Sequence, residues 1–309
     1  MKVDALCIDS NVYHPPIWND IQAQSINTHD ELELCTVKTT FIGGPTIDPS
    51  VLLESEAEIL VCIDSSQHPF GIHCMRELRE KYKKLILVAD EPIWAPGAHS
   101  NAKGNHENLI KSYSPDLVFY PSNIDKDLSF VKSESWYSCF DHLIPNKPPL
   151  SEKIHQYVMS SSSSSIWNGR REFRDMLSTN KNLPIVQHVD QSYHVTTDTL
   201  KKSTVCVIPP HPLGIHWLRF LRAWHTGCIP VVVNSPGWLE REDINNSYKD
   251  ILDQDKKTCI LTDTDNLETI LERLQEDSSY RNELLQNIQD LDLSEYGSKK
   301  TWDKVYNII

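Results

Sequence analysis

No stretch of this 309-residue sequence is apolar for the roughly 20 residues that a membrane-spanning helix needs, and the short apolar start at residues 1–9 is broken by Asp4. The expectation is a soluble, cytoplasmic protein with no membrane span. Runs of Lys and Arg are missing as well, and the formal net charge is -13, so the overall field repels nucleic acid and anionic surfaces. That disfavours nucleic acid as a partner. It leaves room for a locally basic groove, because phosphate recognition depends on the field inside a cleft rather than on the sum over a surface. None of the eight cysteines forms a CxxC pair, and most sit inside apolar runs such as Leu60-Val61-Cys62-Ile63. They read as buried, reduced thiols rather than a zinc or disulfide framework. No repeat of fixed period is visible.

Hydrophobic residues make up 39% and charged residues 24% of the chain, the balance of a folded protein. At this length a single core stops growing, so two lobes of about 150 residues each are expected. Short β-branched runs alternate with helical patterns, the sign of βαβ units and parallel sheets covered on both faces. Residues 3–8, 59–63, 85–89 and 117–120 read as strands, and 74–83, with Met75, Leu78 and Tyr82 at helical spacing, as a crossover helix. Pro145, Pro148 and Pro149 break both helix and ladder pairing, which places the linker between lobes at 144–150.

After the linker the order of elements restarts. Strands are expected at 155–159, 185–189, 205–208 and 229–233, a helix near 170–177, and two amphipathic helices between 265 and 291. The fold class is therefore α/β with two Rossmann-like lobes, 1–147 and 148–293. A closing helix, 294–309, carries Trp302 and an apolar end that seek an apolar surface, packing back on the first lobe being one open placement.

The most informative segment is 203–233. It reads as strand, loop with His211 and Gly214, helix through Trp224, a glycine stop at Gly227, and strand: one βαβ unit whose loop lies at the carboxyl end of its first strand, where open sheets bind ligands. Within the helix, Ile215, Leu218, Leu221 and Trp224 make one apolar side, while His216, Arg219 and Arg222 follow at three-residue steps on another face. Positive charge near a helix amino end, whose free amides already favour an anion, suits a diphosphate. The same spacing equally describes a solvated arginine face paired with acidic residues.

The segment resembles the donor-binding half of exostosin-like glycosyltransferases. Arg219 falls on that family's helix arginine, and Gly227-Cys228-Ile229-Pro230-Val231-Val232 matches its most recognisable stretch. The resemblance implies GT-B architecture, two Rossmann-like lobes facing a central cleft, with lobe 1–147 on the acceptor side and lobe 148–293 holding the nucleotide sugar. It also implies a donor contact from Arg219; His211 in the loop and His216 on the helix are further donor-binding candidates. One departure stands out: the family carries an acidic residue for the donor ribose three positions after the helix arginine, and here that position is Arg222. Either another group such as Asp190 or Asp198 replaces it, or the donor is held differently with Arg222 beside it, or activity is altered.

A second candidate is the serine run 160–165, which leads into Trp167-Asn168-Gly169-Arg170-Arg171. Small residues at a strand end, followed by a helix opening on two arginines, suit backbone and guanidinium contacts to phosphate; Ser161, Arg170 and Arg171 are the residues singled out. A plain Ser-rich surface loop is the competing reading. In the first lobe, Asp90 and Glu91 follow the buried run 85–89, and a carboxylate held in a partly desolvated cleft can take the proton of an acceptor hydroxyl. Asp90 is the preferred base and Glu91 the second. Residues 59–90 also resemble the matching region of phage DNA β-glucosyltransferases, which implies an Asp base at that strand end; a generic βαβ unit capped by Asp describes the same residues. His68, His73, His99 and His106 are further loop histidines able to touch an acceptor. Asp263-Thr264-Asp265 mimics a metal-binding DxD, but its place between a strand and a helix fits a helix cap.

The expected function is transfer of a sugar from a nucleoside-diphosphate donor, the co-substrate, to an acceptor hydroxyl, that of a glycan being preferred, without metal or other cofactor. Two rivals stay open: a phage-type enzyme glucosylating a hydroxymethylcytosine base in DNA, and a non-catalytic nucleotide-sugar-binding protein.

Overall fold

The computed structural model describes residues 1–9, 18–41, 48–64, 74–89, 110–121, 130–136, 141–161, 175, 179, 185–189, 193–210, 217–234 and 257–308. The chain divides into two compact units, Met1–Leu143 with Ser294–Ile309, and Ile144–Leu293.

In the first unit the chain runs β1 (Lys2–Asp9), α1 (Trp18–Gln24), β2 (Glu33–Phe41), α2 (Ser50–Leu53), β3 (Ile59–Asp64), α3 (Met75–Lys81), β4 (Lys84–Ala89), β5 (Leu117–Pro121) and β6 (Ser133–Trp136). The six strands form one parallel sheet in the order β2-β1-β3-β4-β5-β6. Alternation along the strands decides which face each side chain covers. Leu6, Leu60, Cys62, Leu85, Leu87 and Val118 pack with Met75, Leu78 and Tyr82 on one side. Val3, Ala5, Val61, Ile63, Ile86, Val88 and Phe119 form the other. Both faces are buried, as a parallel sheet with helical crossovers requires.

Tyr82 closes the first face: its hydroxyl lies 2.6 Å from Asp4 Oδ2 and 2.8 Å from Leu52 O. Burial, then the Asp4 contact, pushes this phenol well above the usual tyrosine range. On the second face, Trp136 donates through Nε1 to Gln22 Oε1 at 2.9 Å and stacks edge-on against Trp302, with ring centroids 5.7 Å apart.

The second unit runs β7 (Ile154–Ser161), β8 (Ile185–Val189), α4 (Tyr193–Lys202), β9 (Ser203–Ile208), α5 (Trp217–His225), β10 (Ile229–Asn234), β11 (Ile260–Asp263), α6 (Leu267–Glu276) and α7 (Ser278–Asp290). Its five strands are also parallel, in the order β11-β10-β9-β7-β8. Every residue of β9 and β10 is buried. Tyr157 ties the sheet to α6 by donating to Leu271 O at 2.7 Å, and burial pushes its phenol up to about 12. The linker is anchored as well: Lys147 donates to Ile288 O at 2.7 Å and to Leu291 O, capping α7 with a cation where the helix dipole favours one.

The chain then returns to the first unit as α8 (Ser298–Tyr306). Trp302 and Val305 are fully buried there, and Trp302 donates to Ser25 Oγ at 2.8 Å. Of the DxD-like triplet, Asp263 accepts from Asn266 N at 2.9 Å and Asn266 Nδ2 at 2.8 Å, so it forms the turn that opens α6. The helix-capping position itself is Asn266.

Candidate functional site

Numbered within each unit, the sheets run 2-1-3-4-5-6 and 2-1-3-4-5, so the direction of winding reverses once in each, between β1 and β3 and between β7 and β9. Parallel α/β sheets bind ligands outside the carboxyl ends of their strands at that reversal, because the crossovers leave to opposite faces and open a crevice.

In the second unit Ser161 is the last residue of β7, in register with Val189 at the end of β8. Met159 of β7 is paired with Val207 of β9, which ends one residue later and runs into Pro209 and Pro210, both buried. From there the chain leads to α5. Ser161 and Pro209-Pro210, which follow β9, therefore lie at the carboxyl edge on the two sides of the winding reversal.

The structure corrects the helical-face reading of α5. Phe220, Leu221, Ala223 and Trp224 are fully buried, Leu218 and Arg219 are half-buried, and Arg222 is only 3% exposed. The sequence spacing put Leu218 on the buried side and Arg222 beside Arg219 on another face, lining a diphosphate site or meeting solvent. The helix is instead enclosed on more than one side: Trp224 Nε1 donates to Thr258 O at 3.0 Å, and Phe220 and Trp224 stack edge-on, 4.5 Å between centroids. Polar residues on an enclosed helix are buried with it, and periodicity cannot separate the two cases.

Both guanidinium groups act on β9. Burial, and after it the neighbouring Cys228, pushes the Cys206 thiol up to about 12, against the lowering pull of Arg222 and then Arg219. Positive charge is thus concentrated over the strand that borders the reversal. Asp198, one of the considered ribose partners, lies within α4 with its side chain 71% exposed and 3.7 Å from Lys201.

The far end of α5 shows what the family-like stretch does. Gly227 has φ +69°. Gly227 N donates to Trp224 O at 2.9 Å and Cys228 N to Ala223 O at 2.8 Å, the paired bonds of a Schellman closure, in which the left-handed residue is normally glycine. Gly227-Cys228 therefore stops a helix and starts β10 at the sheet edge opposite the candidate site.

Asp90, Glu91, Arg170, Arg171, His211 and His216 lie outside the described residues, as do Asp190, His68, His73, His99 and His106. Ala89, which precedes Asp90, pairs with Asp64 at the end of β3, and Asp64 pairs with Ile8, the neighbour of Asp9 at the end of β1. Asp9 and Asp64 thus flank the winding reversal of the first unit, and the sequence reading did not single them out as site residues. A signal was present: Cys7-Ile8-Asp9 and Cys62-Ile63-Asp64 are the same tripeptide, each ending an apolar run in a carboxylate. Among the described residues, no group of three or more His, Cys, Asp or Glu side chains could hold a metal ion, and no helix is long and apolar enough to cross a membrane.

No protein-family model matches the sequence, and no curated protein matches it. Solved structures do. Anabaena HepE in complex with UDP-glucose matches with a TM-score of 0.64 at 10% identity, over 99% of this chain and 100% of that one. HepE in complex with UDP and glucose gives 0.63 at 11% identity and the same coverage. The UDP-GlcNAc 2-epimerase of Neisseria meningitidis, bound to UDP-GlcNAc, gives 0.53 at 9% identity, again over 99% and 100%. At these identities the likeness is one of fold, and it extends over the whole chain: two Rossmann-like α/β units of the GT-B class.

Proposed function

We propose that the protein is a glycosyltransferase that binds a nucleoside-diphosphate sugar at the carboxyl edge of its second unit, between β7 and β9, and transfers the sugar to an acceptor hydroxyl. The observation that carries this reading is a half-buried arginine, Arg219, on the helix that follows β9, the strand paired with β7. The HepE structures with UDP and UDP-glucose support the donor class, and the exostosin-like stretch supports the same chemistry.

The electrostatic demand of the step is a diphosphate leaving group whose charge grows as the glycosidic bond breaks. Fixed cations and helix-end amides aimed at that charge are worth more in a water-poor site than in bulk solvent. Arg219 meets this demand, with Arg170 and Arg171 as its proposed partners. Arg222, buried on the same helix, adds charge to the same strand. Asp90 is the proposed base for the acceptor hydroxyl, with Glu91 the second choice. No metal is assigned a part, and a glycan is the preferred acceptor.

The test is direct titration with UDP and incubation with a panel of nucleotide sugars, following release of the nucleoside diphosphate with and without acceptor glycans. The reading predicts binding, and release that acceptor accelerates. Arg219→Ala is expected to weaken UDP binding about 10- to 100-fold, the equivalent of about 1.5–3 kcal/mol for a charge-assisted hydrogen bond. Binding without release from any donor points to the non-catalytic alternative, and steep salt-dependent retention on duplex DNA points to the DNA-glucosylating one. Interconversion of the sugar without an acceptor indicates an epimerase instead.

A further inference from the structure

Lys153 stands just before β7 and carries a side chain that the proposed chemistry does not use. Its Nζ donates to Ser203 O at 2.8 Å, Thr226 O at 2.8 Å and Lys201 O at 3.3 Å, with Cys228 Sγ at 3.9 Å. These acceptors end α4, begin β9 and end α5. An ammonium has three protons, and three carbonyls take them. Among the described residues no carboxylate pairs with it; burial lowers its basicity, and the Cys228 thiol pulls the other way.

Burying a cation without a counter-ion costs stability that an apolar residue of similar volume avoids. What the cation supplies is direction. The packing of Phe220 and Trp224 is non-directional and tolerates sliding, whereas a hydrogen bond weakens steeply when its geometry is lost. Lys153 ties the carboxyl end of α5 to the amino end of β9, the two elements flanking the connection at the candidate site. The fit is close on the helix side: a Cβ on Gly227 meets Lys153 Cε at 3.2 Å, so the glycine that closes α5 also makes room for the lysine stem. Helix α5 has nine residues and, at 1.5 Å rise per residue, is a rod about 13 Å long. An axial shift at its closed end is passed to Arg219 near the other.

We infer that Lys153 is a positioning residue for nucleotide binding: by fixing the axial register of α5 against β9 it sets where the Arg219 guanidinium stands. This rests on the proposed role of Arg219.

The test is a double-mutant cycle on UDP affinity. Lys153→Met, Lys153→Gln and Gly227→Ala are each measured alone and together with Arg219→Ala, at temperatures where near-UV circular dichroism shows every variant folded. Lys153→Met is expected to raise the Kd for UDP about tenfold, Lys153→Gln and Gly227→Ala less, and none to weaken binding further once Arg219 is alanine. General loosening of the unit predicts the opposite, an equal loss in both backgrounds, and that result overturns the inference. So does wild-type affinity in the folded Lys153 variants. If both lysine variants fail to fold, Gly227→Ala decides by the same criterion. An Arg219→Ala protein that binds UDP as tightly as wild type removes the parent reading and this inference together. Loss in Arg219→Ala with none in the Lys153 series removes this inference alone.

Discussion

Arg219 is half-buried and Arg222 almost wholly buried, although equal spacing placed them on one face. Spacing gives an angle around a helix axis; it does not reveal how many sides of the helix are covered. Gly227 was read as a stop, and its left-handed backbone shows why glycine is favoured there. Gly227→Ala adds a left-handed penalty of about 1–2 kcal/mol on top of the Lys153 contact. The expected result is a lower melting temperature, by about 2–4 °C per kcal/mol in a unit of this size, measured by calorimetry. Asp90→Asn is expected to leave UDP affinity unchanged and abolish sugar transfer. Full activity in that variant moves the base to Glu91, Asp9 or Asp64.

Elements were legible in proportion to their burial. The strands β3, β4, β5, β9 and β10 announce themselves as apolar runs because both their faces are covered, while β1, interrupted by Asp4, and β7 and the edge strand β8, which mix in polar residues, still carry enough apolar and β-branched residues to be read as strands. The strands without an expectation, β2 and β6, lie at sheet edges, as does β11, which was read only as the strand before Asp263. Residues 33–40 of β2 are half-buried or exposed throughout, and its sequence mixes Glu, Lys and Thr with Leu and Val. Such strands carry charge and polarity that protect an open edge, which erases the pattern used to find them. Helix α4 was missed for another reason: Val195, Thr196, Thr197 and Thr199 are β-branched and weak helix formers, overridden by packing on β9.

Two tyrosines tie helical segments to the strands beneath them, and their phenols give those ties a pH dependence. Tyr82 and Tyr157 keep their protons in the folded protein at pH values where an unfolded chain loses them near 10. A raised folded value means that their contribution is complete below about pH 10 and drains away as pH rises, for Tyr157 through about 12. Melting temperatures recorded from pH 8 to 11 are expected to be lowered by this term above pH 10, and Tyr157→Phe to shallow that fall. A fall of the same steepness in Tyr157→Phe contradicts this account.

Across the whole molecule, two sheets that share the order of their first five strands imply two winding reversals, one at the ends of β1 and β3 and one at the ends of β7 and β9. The division at Leu143 and Ile144 falls beside the proline-rich stretch at which the chain reads as broken. What composition could not give was the choice among donors and acceptors, which depends on loop residues contributing a few contacts each. The central claim is that two linked phosphates are bound where β7 and β9 end. A crystal structure of the protein soaked with UDP tests it most directly. The account predicts diphosphate density at the carboxyl edge of the second unit, within hydrogen-bonding distance of Arg219; density at another place, or none at saturating UDP, contradicts it.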